Sequence, residues 1–383
     1  MATSIREWLL RLSVLLGTLF LCLVVLEGIV RFAEPREVMR YFFVQPDTVL
    51  HHKFIPNAKG RYKTTEFDTR YNINSLGLRD REYSLETAWG VFRILMVGDS
   101  FTEGDGVEEY ETFSKYLEQE LNVLGSRREY EVINSGCGSY SPLLEYLYLK
   151  TAGLRLDPDL VILNFDLSDV FDDIQYTRLA RFDTKGEPTG VSPETEQHDQ
   201  GWIVDGLVAA KDFLKSHAHL YNFVRLRIGR YIEGARHEAT LTGDLHYDKY
   251  AMLRGNYRYQ QSDWSLSYKY ILMIREMLEK RGISFYVAVY PYGLQVSRRE
   301  YDAGRQFWGF RRDTLYSTEP QQRIEQFCRE NKIHVINACE DFRTAARSQY
   351  PLYLAYNGHW TAAGHRLYSQ VLFQALQSQV ILR

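Results

Sequence analysis

Cysteine is scarce in this chain of 383 residues: Cys22, Cys137, Cys328 and Cys339 are all it has, and no two stand at CxxC spacing. A zinc ribbon and a thioredoxin-like redox pair are therefore not indicated, and cysteine usage does not fix the compartment. Cys328 and Cys339 are near enough in sequence to bridge, but such neighbours in a mixed helix and strand region are more often buried thiols, the reading preferred here. An excess of charge of either sign is also lacking, since 46 Lys and Arg against 49 Asp and Glu leave a net charge of −3. Without a local basic stripe, nothing draws the molecule to nucleic acid or acidic lipid. With 45% hydrophobic and 25% charged residues, the composition excludes wholesale disorder, a collagenous chain and a multi-span membrane protein. No internal repeat is visible. Aromatics are plentiful, and 28 Tyr against 6 Trp point to tyrosine-rich packing rather than to a sugar-stacking groove.

Long apolar runs are limited to one. Residues 12–26 (LSVLLGTLFLCLVVL) carry no charge, and Leu9, Leu10, Ile29 and Val30 extend them to the length that crosses a bilayer. Arg11 can snorkel to the headgroups, and Glu27 would lie near the opposite interface. The following LEGIVRFAEP lacks a small-x-small cleavage site, so an uncleaved anchor through residues 9–30 is expected instead of a signal peptide. Arg6 and Arg11 before the run, and Arg31, Arg36 and Arg40 after it, leave the orientation open.

The chain divides into an anchor (1–30), an extended lead-in with a strand or two (31–90), and a main domain (91–383) with a helical insertion at about 171–262. Short apolar runs at 92–97, 130–134, 160–165, 283–290 and 333–337 read as buried strands. Helical patterns at 113–124, 142–154, 264–280, 321–330 and from 362 separate them, and a further helix is expected within 207–232. This alternation predicts an α/β fold with a five-stranded parallel sheet and right-handed crossovers.

Ligands of such sheets bind beyond the carboxyl ends of the strands, where this chain is polar. Gly98-Asp99-Ser100-Phe101-Thr102-Glu103-Gly104 follows the first strand, Asn134 to Tyr140 the second, and Asp166-Leu167-Ser168-Asp169 the third. Asn357-Gly358-His359-Trp360 precedes the last helix. A serine on a strand-to-helix turn is exposed for nucleophilic attack, with N–H donors nearby, but it needs a base. These blocks resemble the SGNH (GDSL-like) hydrolases over roughly residues 92–380. The anchor and Asn74-Ser75-Leu76-Gly77-Leu78-Arg79 are similar to a membrane-anchored bacterial branch linked to exopolysaccharide modification and distantly similar to alginate acetylation proteins.

The resemblance implies an SGNH-like α/β/α sandwich in which Ser100 is the nucleophile, His359 the base, and the Ser100 and Gly136 N–H groups form the oxyanion hole. It implies a serine esterase or O-acyltransferase acting through acyl-Ser100 on an ester-bearing carbohydrate or other acyl ester, without cofactor or metal. The expected setting is the bacterial inner membrane, crossed once, with the catalytic domain periplasmic or otherwise extracytoplasmic. Two positions depart from the family pattern. Ser168 stands where an asparagine donates to the oxyanion, and Tyr356 and Asn357 stand where an aspartate serves the histidine. Asn357 can accept from the imidazole but cannot stabilise imidazolium by charge, so an acid restored there should raise turnover unless another, such as Asp341, already serves His359. The alternative function is a catalytically weak SGNH-like module that binds glycan or serves membrane assembly.

Blander readings stand beside these. Ser100 can simply cap a helix, Gly136 satisfy a turn, and His359 sit in the core beside Trp360. Ser168 and Asp169 can close a strand as a polar turn. His51-His52 and His217-Ala218-His219 are the tight histidine groups; the second falls in an expected helix, where i and i+2 point to different sides and cannot share one metal, and Asp169, Asp172 and Asp173 read as a solvated turn and not as a magnesium site.

Overall fold

The computed structural model describes residues 5–33, 43–64, 66–123, 128–193, 220–221, 224, 253 and 261–378. The chain forms two compact units, Met1–Phe42 with Glu196–Gly243, and Phe43–Thr195 with Asp244–Arg383. In the first, α1 (Ile5–Ala33) contains an apolar stretch, Glu7–Val30, with a mean hydropathy of 2.5, long and apolar enough to cross a membrane. Its leucines and valines are exposed, as a lipid-facing surface requires. The Glu27 carboxylate accepts the Leu220 N–H at 2.7 Å. Of the helix expected within 207–232, only Leu220, Tyr221 and Val224 are described, all helical; His217 and His219 lie outside the described residues.

The second unit is built on a parallel sheet of β5 (Val91–Gly98), β6 (Glu129–Asn134), β7 (Leu160–Phe165), β10 (Ser284–Val289) and β11 (His334–Asn337), in the order β11-β10-β7-β5-β6. Every β7 residue is buried, which explains why the central strand reads as a continuous apolar run and not as an alternation. Successive side chains face opposite ways. Ile94, Met96, Val132, Leu160, Ile162 and Ala288 enter one cluster with α3 (Phe113–Val123) and α11 (Ala362–Ser378), through Phe113, Leu117, Leu121, Leu372 and Leu376. The opposite face meets α6 (Gln261–Glu279) and α9 (Glu319–Glu330), with α4 (Pro142–Thr151) and α5 (Asp169–Leu179) packed on α6. This is the expected α/β/α sandwich with its five-stranded parallel sheet.

Residues 43–90 contain two antiparallel hairpins, β1 (Val44–Asp47) with β2 (His51–Phe54), and β3 (Lys59–Lys63) with β4 (Asp68–Asn72). The solvated-turn reading of Asp169 and Asp173 is overturned: both lie on α5 and are buried, because the helix turns them toward α4 and α6 instead of water. A hairpin of β8 (Ala180–Phe182) and β9 (Pro188–Val191) follows, inside the stretch expected to be a helical insertion. All four cysteines are free thiols, and burial raises those of Cys328 and Cys339 to about 12.

Candidate active site

β5 ends in Gly98, where a Cβ would come within 2.1 Å of Thr102 Oγ1, so glycine lets the chain turn directly into α2 (Ser100–Glu103). Asp99 caps that turn by accepting the Phe101 N–H at 2.9 Å, leaving Ser100 half-buried on its rim. Beneath it, Asn164 of β7 donates to Val97 O at 3.0 Å and accepts from Tyr368 at 2.9 Å, tying the strands to α11 at the point where the strand order reverses.

His359 arrives on a loop between Tyr353 and Trp360, which form a β-bridge. Trp360 is fully buried among Phe101, Tyr290, Phe342 and Tyr368, the tyrosine-rich packing anticipated from composition, and Phe101 also meets the His359 ring. His359 Nε2 stands 2.7 Å from Ser100 Oγ. Nδ1 meets Asn357 Oδ1, which also accepts the His359 backbone N–H at 3.2 Å. A backbone N–H can only donate, so this Asn357 atom is the carbonyl oxygen; the imidazole proton belongs on Nδ1, and Nε2 presents its lone pair to the serine hydroxyl.

The lead-in closes on both loops. Glu66 accepts the Tyr356 and Asn357 N–H groups at 2.7 and 2.6 Å. Arg79, buried and stacked on Tyr71, donates to the carbonyls of Glu103, Gly104 and Val107. Between those carbonyls sits Asp105, whose Oδ2 lies 3.8 Å from His359 Nδ1. Sequence reading missed it; its signal is an acid between two glycines in the loop that follows the serine. Asp341, the acid considered beforehand, lies on α10 (Cys339–Ala345), the helix whose Phe342 packs against Trp360. His365 of α11 accepts the Phe113 N–H, and burial, followed by the charges of Arg79 and His359, pushes its pKa down to about 3, so it is neutral.

The structure thus brings Ser100, His359 and Asn357 together. Of the other two expected oxyanion donors, Gly136 gives its N–H to Asn134 Oδ1 at 3.0 Å, and Ser168 is the N-cap residue of α5, whose backbone N–H, not its hydroxyl, is donated to Asp166 at 2.7 Å. A buried acidic group lies behind them. Burial first, then the Asp173 and Asp99 charges, raise the Glu145 carboxyl well above the usual range; burial and Glu145 do the same to Asp169. Among the described residues, no cluster of His, Cys, Asp or Glu has the geometry to hold a metal ion.

No protein-family model matches the chain, and neither does any curated protein sequence. Similar solved structures include an acetyl xylan esterase, with 13% identity over 74% of this chain and 100% of that one at a TM-score of 0.39. A lipolytic protein of the G-D-S-L family from Desulfitobacterium hafniense shows 12% identity over 74% and 99% of the two chains, at 0.39. A two-domain esterase active on acetylated mannans shows 10% identity over 75% of this chain and 49% of that one, at 0.40.

Proposed function

We propose that this protein is a membrane-anchored serine esterase or O-acyltransferase acting on acetyl esters of cell-envelope or secreted carbohydrate. The observation that carries the reading is the 2.7 Å contact between Ser100 Oγ and a His359 nitrogen that Asn357 leaves unprotonated. Ser100 Oγ attacks the ester carbonyl as its proton passes to His359 Nε2. The imidazolium then protonates the departing sugar oxygen as the C–O bond breaks, leaving acyl-Ser100. Water gives hydrolysis, a second sugar hydroxyl gives transfer, and His359 accepts the proton in either case. The sequence blocks around Ser100 and His359 support ester chemistry over other serine chemistry, and the carbohydrate class follows from the same resemblance.

A serine-reactive fluorophosphonate should label the full chain, and Ser100→Ala should abolish both labelling and turnover of an activated acetyl ester. His359→Ala should lower turnover by about a thousandfold or more. A second reading, a glycan-binding module of weak or no activity, is favoured by the commitment of the Gly136 N–H to Asn134, which removes one oxyanion donor. Folded protein that takes no label would establish it over the enzyme.

A further inference from the structure

Asn357 Oδ1 orients the His359 imidazole but carries no charge, so it cannot compensate the imidazolium formed during attack. The Asp105 carboxylate lies 3.8 Å from the same Nδ1, on a side chain only 4% exposed. We infer that Asp105 is a positioning residue that stabilises protonated His359 by charge while Asn357 holds the hydrogen bond, dividing between two side chains what a single aspartate does elsewhere. Its catalytic consequence rests on the proposed Ser100–His359 chemistry; the charge pairing itself does not.

The loop is built to hold this acid in place. Gly104 and Gly106, on either side, have φ of 85° and 95°, a left-handed backbone that other residues rarely adopt. A Cβ on Gly104 would meet Thr112 Cγ2 at 2.4 Å, and one on Gly106 would meet Leu354 Cδ1, beside the histidine loop, at 2.6 Å. Arg79 grips the carbonyls of residues 103, 104 and 107 around Asp105. The other polar groups facing His359 have different tasks. Asp99 caps α2, Glu66 holds the Tyr356 and Asn357 N–H groups, His365 is neutral, and Ser100 is the hydrogen-bond partner of Nε2.

The test is an NMR titration of labelled histidine in the full chain in detergent, with the His359 signal assigned by its loss in His359→Gln, alongside kcat/KM for an activated acetyl ester. Asp105→Asn should lower the His359 midpoint by about one pH unit or more, because an opposite charge at this range favours the protonated ring. It should lower kcat/KM by about a hundredfold, less than when the imidazole orientation is also lost. Asp105→Glu, which keeps the charge, should hold the midpoint near the wild-type value. Asn357→Asp added to Asp105→Asn should restore the midpoint and recover about tenfold or more in kcat/KM, a gain worth ~1.4 kcal/mol. An unchanged midpoint in Asp105→Asn, or a defect that Asn357→Asp does not rescue, overturns the inference. If the wild type neither labels nor turns over ester, the reading as an enzyme falls, and the titration still decides whether Asp105 pairs with His359.

Discussion

Asp173 shows what burial does to a carboxylate whose partners are neutral. It accepts from the Ser141 hydroxyl at 2.7 Å, the Ser267 hydroxyl at 2.5 Å and the Leu143 N–H at 3.0 Å, yet burial outweighs these bonds and lifts its pKa from 3.8 to about 7. The folded state therefore holds a proton that the unfolded chain releases between those two values. Stability from this group is present at low pH and lost as pH rises through about 7. Asp173→Asn keeps the shape and removes the titration, with the Ser267 hydroxyl turning to accept. In urea unfolding, wild type should gain about 1 kcal/mol relative to the variant between about pH 8 and about pH 6. A constant gap would show that Asp173 does not titrate there. The sequence could not signal this, because an acid after a strand reads as solvated until the helices that cover it are known.

At the scale of elements, the site depends on how closely α2 approaches the loop after β6. A Cβ on Gly136 would stand 2.2 Å from Glu103 N and 2.6 Å from Thr102 C, both backbone atoms that cannot swing away. Asn134 Nδ2 donates to Thr102 O at 2.7 Å across the same seam, and Glu103 accepts the Tyr71 hydroxyl and the Gly138 N–H, both at 2.8 Å. Gly136→Ala must push α2, and Ser100 with it, away from the sheet. It should cost about 1–3 kcal/mol of stability, read in urea unfolding, and slow fluorophosphonate labelling. Wild-type stability and labelling would show that the seam relaxes. Glu66, in the β3–β4 hairpin, and Arg79 turn the lead-in into a brace for the loops that carry Ser100 and His359. Arg79 stands in a segment far from Ser100 and His359 in sequence, and the carbonyls it grips belong to a loop that only the fold brings near.

For the molecule as a whole, the proposed setting is an uncleaved anchor through residues 9–30, with the residues before it in the cytoplasm and the unit bearing Ser100 on the periplasmic side of the inner membrane. Its support is α1, the one helix among the described residues long and apolar enough to cross a membrane, together with the resemblance to cell-envelope enzymes. Protease added to spheroplasts should digest a tag at the C-terminus, whereas full protection of that tag would reverse the orientation. Cleavage behind the apolar run, seen as a shortened N-terminus by mass spectrometry, would replace the anchor with a signal peptide.

The sequence by itself determined the alternation of buried strands and amphipathic helices, since each apolar run such as 160–165 reports its own burial through local periodicity. It also placed Ser100 beyond the end of the first buried strand, where a parallel sheet exposes whatever residue follows, whereas His359, on a loop ahead of the last helix, was joined to it in sequence only by the family resemblance. What only the tertiary structure decided were relations between segments far apart in the chain. Asp105 reaches His359, Glu66 holds the loop of Asn357, and Gly136 spends its N–H on Asn134. A local pattern records whether a residue is buried, but a carboxylate's partner and charge state depend on what the folded chain places against it, and no periodicity carries that information.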